Sequence, residues 1–124
     1  MTTVLIADDD FAMRMLIGAA ISGGDYIVVE AEDGDEAWDV IRKHHPKVAL
    51  LDVQMGGQTG LEVTRKIRAS AELADMAVVL VSAKTQDSDV QAGYEAGADQ
   101  YVTKPFSPNQ LAATVRDWVS KKGA

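Results

Sequence analysis

The sequence predicts a doubly wound α/β fold, a five-stranded parallel sheet with helices on both faces. Three observations carry that prediction. Short apolar runs alternate with longer amphipathic stretches five times along the chain. The first, third and fourth runs are near-continuous Val, Leu, Ile and Ala, the composition of parallel strands buried on both faces. At 124 residues and 47% apolar, the chain has the size of one ordinary domain with a core of its own, expected to span residues 1–124. Right-handed crossovers then leave few topologies open.

The first strand is read over Val4–Ala7. A helix follows from Phe11 to Ile21 and ends at the Gly23–Gly24 pair. The second strand, Tyr26–Ala31, carries Glu30 and is followed by Glu32, which suits an edge position. The second helix begins near Asp33 as N-cap. Glu36 stands three residues on, at capping-box spacing, and Ala37, Val40 and Ile41 form the apolar side. The third strand is Val48–Leu51, and its helix runs from about Thr59 to Ala69. The fourth strand is Val78–Val81. Its helix, Asp87 to Ala96, stops at Gly97 and has a thin apolar face, Val90 and Tyr94 four residues apart. Thin anchoring predicts that this helix is the most mobile of the five. The fifth strand is Tyr101–Thr103. The last helix starts at Ser107 as N-cap with Pro108 in its first turn, and buries Leu111, Val115, Trp118 and Val119. No internal repeat, low-complexity tract or linker interrupts the pattern. The tail Lys121–Ala124 fits a natural end or the cut edge of a longer protein equally well.

Composition excludes several function classes. Twelve Lys and Arg stand against 19 Asp and Glu, a net charge of −7, and such a surface repels phosphate backbones, so no direct nucleic-acid binding is expected. Without cysteine there are no disulfides, no Cys-ligated zinc and no thiol chemistry. The longest apolar run is far short of a membrane span, and Met-Thr-Thr offers no basic, apolar leader. A cytoplasmic domain without membrane contact is the expectation.

In an open parallel sheet, ligands bind beyond the carboxyl ends of the strands. There the first strand is followed by Asp8, Asp9 and Asp10, the third by Asp52, the fourth by Ser82 and the fifth by Lys104. Clustered carboxylates repel unless their pKa values rise or a cation joins them. A hard divalent cation with oxygen ligands fits best, and Mg²⁺ commonly uses one or two carboxylates with phosphate oxygens completing its shell. A lysine and a hydroxyl add donors for an anionic ligand. Together these groups describe phosphoryl transfer, with an aspartate carboxylate as nucleophile.

These residues resemble the receiver domains of bacterial response regulators, the CheY-like family. The likeness covers the chain from Val4-Leu5-Ile6-Ala7-Asp8-Asp9-Asp10 to the last helix. It rests on four spaced motifs: Asp8-Asp9, Asp52, Ser82-Ala83 and Lys104-Pro105-Phe106. The resemblance implies the flavodoxin-like strand order 2-1-3-4-5, which composition and periodicity do not supply. It implies that Asp52 accepts a phosphoryl group from a sensor histidine kinase or phosphotransfer protein, in a Mg²⁺-dependent reaction. Asp9, Asp52 and the Gln54 carbonyl would hold the ion, with Asp8 acting through water. Lys104 would pair with the phosphoryl group, Ser82 would bond it, and Tyr101 would turn inward as the switch aromatic. A cis Lys104–Pro105 bond is implied as well. Such a chain is a signalling switch in a two-component phosphorelay. It is not an enzyme beyond catalysing its own phosphorylation and dephosphorylation. With no room for an output domain, it would be read by a downstream output protein or by a fused module, through its fourth helix, fifth strand and fifth helix.

Two departures stand out. Many family members have Met-Pro after the phosphoacceptor, where this chain has Met55-Gly56-Gly57, so a looser loop is expected; Gly60 keeps its place at the helix start. Gln100 and Thr114 stand where members that dimerise through the last two helices carry an acid and an arginine. That leans against this particular dimer and leaves room for a weak or phosphorylation-dependent one. Plainer readings also apply. Asp10 suits a helix cap. Tyr101, Trp38 and Trp118 suit packing, Met13 and Met15 suit the core or its rim, and His44 and His45 suit a helix-dipole contact. A haloacid-dehalogenase-like phosphatase would want two aspartates two residues apart and a cap domain. A flavin-binding flavodoxin would want a Ser/Thr/Gly-rich loop where the three aspartates stand.

Overall fold

Val4–Ala7, Val48–Leu51 and Ala77–Ser82 are buried along their whole length, and this two-sided burial puts them at the centre of the sheet. The structure is a computed structural model describing residues 2–123; Met1 and Ala124, the two ends of the expected 1–124 unit, lie outside the described residues. The strands are β1 (Thr2–Ala7), β2 (Tyr26–Ala31), β3 (Val48–Leu51), β4 (Ala77–Ser82) and β5 (Gln100–Thr103), all parallel, in the order β2-β1-β3-β4-β5. This is the flavodoxin-like arrangement expected. The glutamate-bearing β2 lies at one edge and β5 at the other.

The helices are α1 (Phe11–Ile21), α2 (Gly34–His44), α3 (Gly60–Ala69), α4 (Asp87–Ala96) and α5 (Pro108–Gly123). Alternation along each strand sorts the core into two layers. Val4 and Ile6 of β1 join Ile17 and Ile21 of α1 and Leu111 and Val115 of α5 on one face. Leu5 and Ala7 join Ala37 and Ile41 of α2 and Val63 and Ile67 of α3 on the other. Among the described residues, α4 contributes to neither buried cluster, which agrees with its expected thin anchoring.

Helix ends show where local chemistry departs from the sequence reading. α1 ends at Ser22, before the glycine pair: the Ser22 hydroxyl and N–H both return to the Ala19 carbonyl, at 2.8 and 3.3 Å. α2 has half of the expected capping box. Asp33 accepts from the Glu36 N–H at 2.7 Å, but the Glu36 carboxylate reaches the N–H of Glu32 and not that of the cap residue. The complete box is on α3, where Thr59 and Glu62 exchange bonds of 3.1 and 3.0 Å. α4 stops at Gly97, whose φ of 113° is left-handed. Its buried residues are Gly93 and Ala96 in place of the expected Val90–Tyr94 pair, and Tyr94 lies 47% exposed. The reason is the Tyr101 ring, which occupies the space against Gly93. Met13 packs on the core but Met15 is 60% exposed, so only one of that pair belongs to the interior.

At the amino edge of the sheet, Arg68 of α3 acts as a clamp that sequence reading passes over. Its guanidinium donates to the carbonyls of Gly97 (2.8 Å), Ala74 (2.9 Å) and Met76 (2.6 Å) and to Asp99 Oδ2 (2.8 Å). The same Asp99 oxygen accepts from the Val78 N–H at 2.8 Å, closing the start of β4 onto β5.

Candidate functional site

The parallel register extends one residue past the strands and gathers the site. The Asp8 N–H donates to the Ala31 carbonyl (3.1 Å), the Asp52 N–H to Ala7 (2.9 Å) and the Lys104 N–H to Ser82 (2.8 Å). Asp8, Asp52, Ser82 and Lys104 therefore stand side by side at the carboxyl edge. The Lys104 ammonium lies 2.7 Å from Asp8 Oδ2 and 3.1 Å from Asp52 Oδ2. Asp8 and Ser82 are each 1% exposed and Asp52 8%, whereas Asp9 opens to solvent. Carboxylate oxygens of Asp8, Asp9 and Asp52 lie within 4.8 Å of one another.

The electrostatics follow from crowding. Burial pushes the Asp52 carboxyl above its ordinary value; the Lys104 charge pulls it back and the Asp8 charge pushes it up again. For Lys104 burial alone would lower the pKa, but its bonds to Asp8 and Asp52 and their charges together outweigh burial and hold it above the usual lysine range. Three carboxylates against one ammonium leave two net negative charges. The donors are oxygens, with no histidine or cysteine beside them, and Asp9 keeps one side open. That donor set fits a hard divalent cation such as Mg²⁺.

The remaining expected residues border this cluster. Gln54 meets Asp52 through its N–H, 3.2 Å from Oδ1. The Ser82 hydroxyl accepts from the Lys84 N–H at 3.1 Å. The half-buried Tyr101 donates its hydroxyl to the Lys84 carbonyl at 2.6 Å, and its N–H donates to the Tyr94 hydroxyl at 3.1 Å. Ser82 and Tyr101 thus hold opposite ends of one residue. The Lys104–Pro105 peptide is cis. Asp10 caps α1 by accepting from the Ala12 N–H at 2.9 Å. In the loop after β3, Gly57 takes a left-handed φ of 69°. Two hydrogen bonds to the start of α2 offset its expected looseness: Gly34 N–H to the Gly56 carbonyl, and Gln58 Nε2 to Asp35 Oδ1, each 2.9 Å. A Cβ on Gly60 would lie 2.3 Å from the Asp52 carbonyl, so α3 starts hard against the backbone of Asp52.

Sequence reasoning missed Arg14. Its guanidinium, 7% exposed, donates to the Asp8 carbonyl at 2.8 Å and pairs with Glu30 at 3.1 Å. The available signal was its position as the sole charge on an otherwise apolar helix.

Residues 4–116 match the family model described as the response regulator receiver domain. The phosphate regulon transcriptional regulatory protein PhoB of Pseudomonas aeruginosa is 34% identical over 121 residues, 98% of this chain and 53% of that protein. The response regulator MprA of a Mycobacterium species is 38% identical over 113 residues, 91% of this chain and 48% of that one. The chain thus spans about half the length of the curated relatives it matches. The receiver domain of Francisella response regulator 1452 superposes with a TM-score of 0.89 at 26% identity, covering 98% of both chains. The Vibrio cholerae chemotaxis protein CheY4 gives 0.86 at 28% identity, covering 94% of this chain and 98% of that one.

Proposed function

Because the chain belongs to the response regulator receiver domain family, we propose that it is a phosphorylation-controlled switch and that Asp52 is its phosphoacceptor. Receiver domains are signalling domains of two-component systems; aspartyl phosphate and Mg²⁺ are general to them. The observation that carries the residue assignment is the placement of Asp52. It is buried at the end of β3, 3.1 Å from the Lys104 ammonium, with the carboxylates of Asp8 and Asp9 alongside.

In this reading a carboxylate oxygen of Asp52 attacks phosphorus, the bond from phosphorus to the donor breaks, and an acyl phosphate remains. The donor is a histidine kinase or a phosphotransfer protein. Asp9, Asp52 and the Gln54 carbonyl would hold Mg²⁺, with Asp8 acting through water, and the ion would supply positive charge for the phosphoryl oxygens. Lys104, already oriented by Asp8, supplies a second positive charge to the transferred group. Ser82 donates its hydroxyl to the new oxygens. Because Ser82 now accepts from Lys84, whose carbonyl accepts from the Tyr101 hydroxyl, moving Ser82 disturbs Tyr101 through Lys84. The weakly anchored α4 completes the switch.

The whole chain acts as one receiver unit, catalysing only its own phosphorylation and dephosphorylation, and works in the cytoplasm. Among the described residues no helix is long and apolar enough to cross a membrane. A net charge of −7 opposes direct nucleic-acid contact. An output protein or fused output domain reads the face of α4, β5 and α5, where a groove of about 250 Å³ is bordered by Tyr101, Phe106 and Thr114. Gln100 on that face accepts from Trp118 Nε1 at 2.8 Å, so it is engaged within its own chain, which supports only weak or phosphorylation-dependent dimerisation.

Incubation with Mg²⁺ and acetyl phosphate, read by intact mass, tests the central point. Wild type should gain one phosphoryl group and Asp52→Asn none. An unmodified wild type, or equal gain in the variant, would sink the proposal.

A further inference from the structure

α1 carries one charged residue, Arg14, and the fold buries it. A buried guanidinium persists only where it is paired and hydrogen-bonded. Three groups meet it. Nη1 donates to the Asp8 carbonyl at 2.8 Å, Nε to Glu30 Oε1 at 3.1 Å, and Nη2 stands 3.7 Å from Glu32 Oε1. The Phe11 ring lies 5.5 Å from its Cζ. Glu30 and Glu32 balance the positive charge, so Arg14 does little to neutralise the aspartates. Its specific act is to hold one carbonyl.

That carbonyl matters because of what it is bonded to. The Asp8 C=O and the Asp9 N–H belong to a single planar peptide. Fixing the oxygen fixes the plane, and with it the direction in which Asp9 leaves β1. Asp8 is held elsewhere too. Its N–H bonds the Ala31 carbonyl at 3.1 Å, and its carboxylate bonds Lys104 at 2.7 Å and the Asp10 N–H at 2.9 Å. Asp9 is different: it is exposed, and among the described residues its carboxylate has no hydrogen-bonding partner. The aim of that carboxylate therefore depends on its backbone, which is held by Arg14 on the Asp8 side and by the Asp10 N–H bond to the Asp8 carboxylate on the other.

We propose that Arg14 is a positioning residue for the divalent cation. Braced by Glu30 on the edge strand and Glu32 just past its end, it locks the Asp8–Asp9 peptide so that the Asp9 carboxylate faces Asp52. The inference rests on the reading of Asp8, Asp9 and Asp52 as a cation site. It gives the acidic end of β2 a task in a site that β2 does not line. Groups outside a metal's own ligands commonly set its affinity in this way.

The test is a titration with Mg²⁺ alone, followed by calorimetry and by the amide NMR shifts of Asp9 and Asp10, with no phosphoryl donor present. Arg14→Met should weaken Mg²⁺ binding roughly tenfold, at the low end of what such outer groups contribute. Arg14→Lys should recover part of the loss, since an ammonium reaches the Asp8 carbonyl or Glu30 but lacks the fork that holds both. Glu30→Gln should give a smaller loss. The two milder variants carry the test if Arg14→Met does not fold. Arg68→Met, which removes a guanidinium from the opposite edge of the sheet, should lose stability and keep wild-type Mg²⁺ affinity. Wild-type affinity in Arg14→Met, or an equal loss in Arg68→Met, overturns the positioning role alone. A wild type that does not bind Mg²⁺ overturns the cation-site reading beneath it.

Discussion

Asp52 is asked to stay ionised in a place that disfavours ionisation. Burial is the largest influence, Lys104 opposes it, Asp8 reinforces it, and the net result is a raised pKa. A raised carboxyl pKa means the folded state binds the proton more tightly than the unfolded state does. Stability contributed by that proton is complete below the ordinary value of 3.8 and is lost as pH rises through the folded value. At pH 7 the ionised group therefore works against the fold. Asp52→Asn, of the same shape and neutral, is expected to stabilise the protein at pH 7 without Mg²⁺ by on the order of 1 kcal/mol, a rise of a few degrees in Tm. The gain should shrink as the pH is lowered towards 4. Melting curves of both proteins across that range check it; an equal or lower Tm for the variant at pH 7 contradicts the account. Asp52 was legible because a carboxylate ends an otherwise apolar strand, and Lys104 because it follows a strand and stands immediately before Pro105-Phe106. Arg14 was not, because its burial depends on glutamates 16 and 18 positions away that only strand pairing brings alongside.

At the scale of elements, α4 shows both what periodicity reveals and what it misses. The weak apolar face was visible in the sequence, and α4 indeed adds nothing to the two buried clusters. The face itself was misassigned. Spacing selects the bulkiest apolar pair, Val90 and Tyr94, but the contact is decided by a ring arriving from β5. Tyr101 needs room, and Gly93 supplies it: a Cβ there would lie 2.7 Å from Tyr101 Cδ2 and 3.0 Å from Leu80 Cδ1. Gly93→Ala is thus expected to dislodge the Tyr101 ring and break its 2.6 Å bond to the Lys84 carbonyl. Strain at a tight contact of this kind costs roughly 1–3 kcal/mol. Denaturant melts and the NMR shifts of Lys84 and Tyr101 would report it. Unchanged shifts at those residues would mean that Gly93 does not seat the ring. The α3 capping box and the Ser22 end of α1 escaped sequence reading for a related reason, since several residues near each end could cap and only the backbone path selects one.

For the molecule as a whole, the two edges of the sheet do opposite things. The carboxyl edge gathers like charges and is held in check by Lys104. The amino edge is closed by Arg68, which makes four hydrogen bonds from α3 to the segments leading into β4 and β5. The acidic cluster was legible from the residues that follow each apolar run, and the strand order from the family likeness alone; the clamp was not, because its carbonyl partners carry no sequence signature. If function sits at one edge and this clamp at the other, the two should be energetically separable. Arg68→Met strands part of the Asp99 charge and three carbonyls, and a loss of about 3 kcal/mol is expected. Mg²⁺ at a hundred times its Kd should add about 2.7 kcal/mol to wild type by mass action alone. Distant sites without shared partners add to within about 0.5 kcal/mol, so the increment should be the same in Arg68→Met. Urea melts of both proteins with and without Mg²⁺ complete the cycle. A smaller increment in the variant would show that the clamp reaches through the strands to shape the acidic site. An equal one would show that the parallel strands isolate the charged edge from the edge that Arg68 holds shut.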